Sequence, residues 1–440
     1  MKSSESFLGG AAATLIARVL GLAVGFALHT LLARLLAPHE YGVYLYGSTW
    51  LLLAAFLSQL GYANVLVRFV ATAHGERAWP SLRGVVLEAH RVVALVASAA
   101  TVALAGVLSL SSLEISAELE AVLWIGLPII PLTALVALCT SVLQGIRRPV
   151  LSTVPDQLVR PLLLGIGVIA VVLLRGGSPD ARTTMGVAVG STALALALGW
   201  LLIHRHHPMD TALGSTDRSG RAEWRAVALG TLLLASMNQV STRADTIMIG
   251  AFLTPTDVAL YGVANRLSVL LAFPMQALTA FIAPIVADLF ASRRMGELQV
   301  RLRLAASGIA ALAVPAGAIL VFFGDRIMAL LFGAEFAAAD GALRWLVVGQ
   351  LIQALAGTVT LLMTMTGHQR TAARIASGSA MLNLVLNAIL IPRFGIQGAA
   401  FATAASLATT SLGMLVYVRR VMDLDPTVFA WLRRTGSDAR

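Results

Sequence analysis

Leu36-Ala37-Pro38-His39-Glu40, followed by Tyr44, recurs as Leu253-Thr254-Pro255-Thr256-Asp257, followed by Tyr261. Every matched position is separated by 217 residues, as Leu36 is from Leu253. A second match sets Gln144-Gly145-Ile146-Arg147-Arg148 against Thr366-Gly367-His368-Gln369-Arg370, at an offset of 222. Leu- and Ala-rich runs resemble one another by composition alone. These matches instead involve Pro, Tyr, Gly and acidic residues in loops. The chain reads as an internal duplication, and the number of elements in each copy then decides the architecture.

Those elements are membrane spans. Of the 440 residues, 58% are hydrophobic and only 12% charged, against roughly 25% charged in an ordinary globular protein. So few charges cannot cover a soluble core of this size, whereas a bilayer accepts an apolar exterior. Twelve runs are long enough to span: 8–36, 42–70, 85–109, 117–144, 152–174, 183–203, 225–253, 258–290, 301–323, 342–366, 371–391 and 396–418. Strands are not expected, since no alternation of polar and apolar residues appears. The first run is too long for a signal-peptide core and contains Arg18 and His29, so it reads as a span.

The loops give the orientation. The N-terminus, the even-numbered connections and the C-terminus hold 19 of the 32 basic residues, with Arg68, Arg91, Arg160 and Arg374 at adjoining helix ends. The opposite side has six: Arg34, Arg175, Arg182, Arg326, Arg344 and Arg393. The positive-inside rule therefore places both termini in the cytoplasm. The formal charge of +10 is distributed over these short loops, which is a topology signal and not a nucleic-acid surface. A single cysteine, Cys139, excludes a disulfide framework within the chain.

Six spans per copy is an even number, so both copies enter the membrane in the same sense. The expected fold is an all-α integral membrane protein with two parallel-repeat six-helix lobes around a central cavity. The lobes are 1–206 and 225–440, the second ending in a short cytoplasmic tail, joined by a cytoplasmic linker over 207–224.

Charges inside spans are costly and ordinarily face a bundle interior or a water-filled cavity. Three arginines, Arg18, Arg243 and Arg266, lie within the runs. Helical spacing puts Thr14, Arg18, Gly21, Gly25 and His29 on one stripe. A second stripe gathers Asn238, Gln239, Thr242, Arg243, Asp245 and Thr246. Gln350, Gln353, Gly357, Thr360 and Thr364 form a third, and Ser379, Asn383 and Asn387 a fourth. Asp245 and Arg266 fall at similar depth, so they either pair structurally or serve transport. His29 is either a proton-coupling group or a satisfied buried histidine. Three arginines against one aspartate make a cationic cavity, which selects an anion, and guanidinium groups suit phosphate. His204, His206 and His207 sit beside Arg205 at a helix end and read as solvated loop residues, not metal ligands.

No catalytic constellation is found: there is no GxSxG, HExxH, Walker loop or acidic metal-binding run. The longest outer loop, 324–341, contains Asp325, Glu335 and Asp340 but no histidine. A glycan polymerase or ligase needs more, so an enzyme is not expected, and neither a cofactor nor a metal is called for.

Several segments carry a family resemblance over nearly the whole chain. They are Leu32-Ala33-Arg34-Leu35-Leu36-Ala37-Pro38-His39-Glu40-Tyr41-Gly42-Val43-Tyr44, then Ala244-Asp245-Thr246-Ile247-Met248-Ile249-Gly250 with Pro255 and Tyr261-Gly262-Val263-Ala264. Leu331-Phe332-Gly333, Gly367 and Asn383-Leu384-Val385-Leu386-Asn387 follow, and the series closes on Ile391-Pro392-Arg393-Phe394-Gly395-Ile396-Gln397-Gly398-Ala399-Ala400. In these the chain resembles the oligosaccharide (Wzx-type) flippases of the multidrug/oligosaccharidyl-lipid/polysaccharide exporter superfamily. The resemblance implies transfer of a polyprenyl-pyrophosphate-linked oligosaccharide, such as an O-antigen unit, from inner to outer leaflet of a bacterial cytoplasmic (inner) membrane. It implies membrane lipids as further partners and functional coupling to a glycan polymerase and glycosyltransferases, with no nucleic acid. Drug exporters of the superfamily usually carry a carboxylate in the first span, which is missing here. Lipid II flippases usually have two further C-terminal helices, also missing. On this reading the pyrophosphate meets Arg18, Arg243 and Arg266, the sugars meet Asn238, Gln239, Gln350 and Asn383, and Asp245 or His29 couples an ion.

Overall fold

The computed structural model describes residues 2–110, 115–206, 216–217 and 219–428. Within its helices, the side chains of 2–12, 15, 233–235, 237, 238, 240, 241, 274, 277 and 280 are not described. The described chain is helical throughout: α1 (Lys2–Leu35), α2 (Pro38–Ser58), α3 (Tyr62–Gly75), α4 (Trp79–Leu110), α5 (Ala117–Gly126), α6 (Ile129–Gly145), α7 (Pro149–Thr153), α8 (Arg160–Arg175), α9 (Ala181–His206), α10 (Arg221–Phe252), α11 (Pro255–Val269), α12 (Phe273–Ala291), α13 (Met295–Phe332), α14 (Asp340–Ala356), α15 (Val359–Met365) and α16 (Gln369–Tyr417). Among the described residues seven helices are long and apolar enough to cross a membrane, and nine if each of two bent pairs is one span.

Several expected runs are interrupted. The run 42–70 breaks at Gln59–Gly61, between α2 and α3. The run 117–144 bends by 43° where α5 meets α6, at Leu127 and Pro128, because proline cannot continue the hydrogen-bond ladder. The run 342–366 bends by 48° between α14 and α15, at Gly357. Between α7 and α8, Val154–Val159 is a π-helical turn. The outer loop expected over 324–341 is shorter than the sequence suggests. α13 runs on to Phe332, and a 3-10 turn (Ala334–Ala339) leads directly into α14, with the buried rings of Phe332 and Phe336 6.3 Å apart.

The duplication is written into the backbone at the turns. After α3, α6, α12 and α15 the chain reverses through a residue in the left-handed region: Arg77, Arg147, Arg293 and Gly367. Each turn closes with the same pair of bonds, as in Arg148 N to Leu143 O at 3.0 Å and Ile146 N to Val142 O at 3.0 Å. Those bonds satisfy the last carbonyls of the preceding helix. Gly367 thus stands in the place of Arg147, at an offset of 220. The offset of 222 read from sequence had matched it to Gly145, which is the last residue of α6 and not the turn residue. Pro38 and Pro255 both open their helices at the first turn, where a missing N–H costs nothing.

The two copies use the acid of this repeated turn differently. Asp257 and Thr254 form a capping box, with Asp257 N to Thr254 Oγ1 at 3.4 Å and Thr254 N to Asp257 Oδ2 at 3.1 Å. Glu40 instead accepts Ala181 N at 2.7 Å and so caps α9.

The chain forms two compact units, Met1–Arg243 and Ala244–Arg440. In the first, α6 packs against α2, α3, α4 and α9, around the fully buried Leu66, Val70, Leu138 and Leu143. The start of α10 belongs to this unit. Trp224 is 3% exposed and meets Phe69 edge-on, and Glu88 of α4 binds Arg221 at 3.0 Å and Arg225 at 2.6 Å. In the second unit, α14 packs against α11, α13 and α16. Val286, Leu298, Leu302, Leu362, Met363 and Val418 form a core there at the ends of α12, α13, α15 and α16.

α16 is two antiparallel arms joined at Gly395, whose φ of 59° and ψ of −142° are not helical. The arms close tightly because residue 398 is glycine: a Cβ there would run into Leu390 O. Ser379 and Ser406 bond reciprocally across the arms, hydroxyl to carbonyl, at 3.2 and 2.9 Å.

Candidate functional site

A buried carboxylate organises the second unit. Asp245 of α10 is 8% exposed. Three neutral donors converge on it: Tyr261 Oη of α11 and Thr403 Oγ1 of α16 on Oδ2, and Asn387 Nδ2 of α16 on Oδ1, each at 2.6 Å. Asn387 also donates to Asn383 Oδ1 at 3.0 Å, and Asn383 Nδ2 reaches Thr403 Oγ1 at 3.4 Å. Local structure explains the convergence. Asn383 and Asn387 are one turn apart on one arm of α16, and the hairpin at Gly395 brings Thr403 back beside them. The capping box at Thr254 sets where α11 begins, and hence where Tyr261 falls.

Asn387 is completely buried, and its Oδ1 has no hydrogen-bond partner. A buried acceptor without a donor is costly. Around Asp245 the site therefore collects carboxylate, amide and hydroxyl oxygens in an apolar surround. Small hard cations take that class of ligand, and a proton can also occupy a carboxylate.

The other expected site residues are distributed differently. Asp245 takes its hydrogen bonds from Tyr261, Asn387 and Thr403 and not from Arg266, so of the two alternatives the structural Asp245–Arg266 pair is not formed. Arg266 is half-buried and donates to Gly262 O at 3.3 Å. Arg243 is half-buried at the end of the first unit, within the electrostatic reach of Arg160. Arg18 is exposed on the side of α1, alongside Ile16, Val19 and Leu20. α1 offers no acid within the span to offset the desolvation of a packed guanidinium, in keeping with a side chain that is solvent-accessible.

The expected stripes also change. On α1, Gly21 is not open. A Cβ there would lie 2.9 Å from Gln157 Cβ, so the small residue admits the π-helical turn and not a ligand. His29 Nδ1 lies 3.2 Å from the hydroxyl of the fully buried Tyr41. On α10, Gln239 is half-buried and Thr242 exposed, and the Asn238 side chain lies outside the described residues. The stripe Gln350 to Thr364 is split by the bend at Gly357. Gln350 and Gln353 are half-buried on α14, and Thr360 and Thr364 are exposed on α15. Asn383 was expected to line an open cavity, but it is packed inside the Asp245 cluster, because its amide and its neighbours satisfy one another. His204 and His206 are exposed, His207 lies outside the described residues, and no metal-binding group of His, Cys, Asp and Glu occurs among the described residues.

Three features of interest were not read as site residues. Thr403 escaped because helical angles relate residues on one helix only, while its role depends on the hairpin. Tyr261 appeared as a repeat marker, not as a ligand. Asp156 and Arg160, 3.0 Å apart in the π-helical turn and the helix after it, fall within the expected run 152–174, where only Arg160 is noted, as a helix-end charge.

The family model described as "Polysaccharide biosynthesis protein" matches residues 7–290, and a second, MatE, matches residues 231–389. Two curated proteins of Haloferax volcanii are similar in part. A "Probable low-salt glycan biosynthesis flippase Agl15" is 32% identical over 168 residues, covering 38% of this chain and 36% of that protein. A "Probable flippase AglR" is 30% identical over 179 residues, covering 40% of this chain and 37% of that protein. The chain thus matches little more than a third of the length of either relative. Among solved structures, an inward-facing multidrug resistance MATE family transporter of the MOP superfamily superposes with a TM-score of 0.71 at 14% identity, covering 94% of this chain and 98% of that one. The lipid II flippase MurJ in an inward closed conformation gives 0.71 at 16% identity, covering 92% and 87%. At these identities the structural matches establish the fold alone: an all-helical membrane protein of the MATE and MurJ type.

Proposed function

We infer that this chain, which belongs to the polysaccharide biosynthesis protein family of the MOP superfamily, moves a polyprenyl-pyrophosphate-linked oligosaccharide from the inner to the outer leaflet by alternating access. The observation that carries the reading is the Asp245 centre. A transporter that works against a gradient needs a membrane-buried group that can take up and release a cation, and intramembrane carboxylates mark such sites. We assign ion coupling, to sodium or protons, to Asp245 with Asn383, Asn387 and Thr403 as neighbouring oxygen donors. His29, tied to Tyr41, is the second candidate.

In this reading twelve passes arise when the broken helices α2–α3, α5–α6, α7–α8, α11–α12 and α14–α15 each count once and α16 counts twice. The linker 207–224 then separates two six-span lobes, and the loop arginines put both termini in the cytoplasm. Arg18, Arg243 and Arg266 meet the pyrophosphate, since guanidinium donors suit phosphate oxygens. Gln239 and Gln350 are half-buried and serve the sugars, together with Asn238, the neighbour of Gln239 in sequence. Asn383 moves from the sugar to the ion in this assignment. The membrane potential adds a driving force: one charge through 100 mV is worth about 2.3 kcal/mol. A diester with two charges therefore gains roughly 4–5 kcal/mol per 100 mV on leaving a negative cytoplasm.

Deletion followed by mass spectrometry of lipid extracts tests the reading. Lipid-linked oligosaccharide should accumulate on the inner side, and Arg18→Ala or Arg266→Ala should fail to restore export while remaining inserted. Accumulated lipid II would instead assign the peptidoglycan precursor. Drug sensitivity with intact glycan would assign efflux, and normal export by both arginine variants would remove them from the site.

A further inference from the structure

We propose that an apolar groove between α11 and α13 seats the isoprenoid tail of the transported lipid, with Arg266 at its headgroup end. The inference rests on the reading of a lipid-linked cargo and adds where the lipid is held. The groove has a volume of about 240 Å³ and is lined only by apolar side chains. One wall is Leu267, Leu270 and Leu271. The other is Leu312, Ala316 and Leu320, spaced by four along one face of α13. An apolar cavity of roughly 150 Å³ already takes up a benzene-sized guest.

Both walls carry a backbone irregularity. Leu270–Ala272 is a 3-10 turn between α11 and α12, and Pro315 lies inside α13. Proline removes the hydrogen bond to the carbonyl four residues earlier and disturbs close helix packing. The mouth is marked by exposed leucine and isoleucine, Leu312 at 58% and Ile319 at 52%. A cavity lined this way gains from an apolar chain and loses packing without one.

Charge selects among chains. Leu270 follows Arg266 by one helical turn on the same face, so a cation stands at the end of the apolar wall. A polyprenyl phosphate carries one chain and an anionic head, which fits one groove with one arginine. A diacyl lipid brings two chains, of which this groove takes one.

The test uses the full-length protein in vesicles of phosphatidylethanolamine and phosphatidylglycerol, with a diazirine-bearing polyprenyl phosphate as probe. Peptides spanning 267–271 and 312–320 should be labelled. Excess unlabelled polyprenyl phosphate should remove the label, and equal phosphatidylglycerol should not. Filling the groove with Ala316→Trp should lower labelling at least tenfold. The smaller Ala316→Leu should lower it in part, and the exposed Leu312→Gln should do so without touching the core. Arg266→Gln should weaken labelling by polyprenyl phosphate about tenfold and leave labelling by neutral polyprenol unchanged. Equal competition by phosphatidylglycerol, or unchanged labelling in all three groove variants, would overturn the proposal. Glycan accumulation on deletion together with an unlabelled groove removes the groove alone. A labelled groove without accumulation removes the transport reading and leaves the lipid site.

Discussion

In the first unit Leu28, Tyr44, Leu164, Val168 and Thr184 occupy the positions that Asp245, Tyr261, Asn383, Asn387 and Thr403 occupy in the second. The register comes from the turns: Pro38 and Pro255 open equivalent helices, and Gly176 and Gly395 end equivalent ones with left-handed backbone. The first set is a packed core. Leu28, Leu164 and Val168 are 8%, 6% and 0% exposed, and Thr184 turns its hydroxyl back to Asp180 O at 2.9 Å. The second set spends the same positions on a carboxylate and its donors. A scaffold that packs these positions with leucine and valine in one copy does not need Asp, Asn and Asn there to fold. Their presence in the other copy supports the ion-coupling role proposed for them, since buried charge is weak evidence for stability.

The largest expected effect comes from making the second unit like the first. Asp245→Leu alone removes the shared acceptor of Asn387 Nδ2, Tyr261 Oη and Thr403 Oγ1, of which the two hydroxyls lie 3.2 Å apart and can bond each other, at about 1–3 kcal/mol for each buried group left unsatisfied. It should lower the unfolding temperature in detergent and abolish export. The triple variant Asp245→Leu, Asn383→Leu, Asn387→Val removes the stranded amide as well and leaves the Tyr261 and Thr403 hydroxyls, 3.2 Å apart, to bond each other. It should regain most of the unfolding temperature while export stays absent. Export by a stable triple variant would break the comparison, because the polar set would then be dispensable for both folding and transport.

Much of the scaffold behind this comparison can be read without coordinates. The duplicated Pro and Tyr positions, the even number of runs per copy and the loop arginines all depend on local sequence or simple counting. The breaks at Gly61, Pro128 and Gly357 were less legible, since an apolar run reads alike whether its helix is straight or bent. For the site, Asp245 stood out as a charge in an apolar run, and Asn383 and Asn387 stood out by their spacing. Their mutual satisfaction did not, because it depends on a hairpin that returns Thr403 from twenty residues further on. Arg18 illustrates the opposite limit: helical angles assign a face, but not what that face meets.

A smaller difference lies where the helices bearing Thr184 and Thr403 begin. α9 is capped by Asp180, which accepts Thr183 N at 3.0 Å; the same register puts Ala399, which has no side-chain acceptor, at that position in the second copy. Hydrogen bonds from the Thr183 hydroxyl and backbone hold the Asp180 carboxyl below its ordinary range. A carboxyl with a depressed folded-state pKa contributes stability that is complete above its unfolded pKa, near 3.9 for Asp. That contribution is lost as pH falls through the lower folded value. Asp180→Ala should therefore cost about 0.5–1 kcal/mol at neutral pH, the low end for a cap because Asp180 is exposed. The gap between the variant and the parent should narrow in unfolding measurements as pH falls below the ordinary Asp range. A gap that persists there would assign the residue a role other than its charge.

The smallest effect sits in the turns that define the register. Arg147 and Gly367 hold the same left-handed position, with φ of 60° and 84°. An L-residue pays roughly 1–2 kcal/mol for that region, while glycine loses more chain entropy on folding, worth roughly 0.5–1 kcal/mol. Arg147→Gly copies the second unit's turn into the first and should stabilise it by about 0.5 kcal/mol, the difference of the two terms. A rise of one or two degrees in unfolding temperature, with export unchanged, is the expected result. A fall would mean that the Arg147 side chain contributes to the first unit something Gly367 does not supply in the second, and the turns would then share a backbone without sharing a purpose.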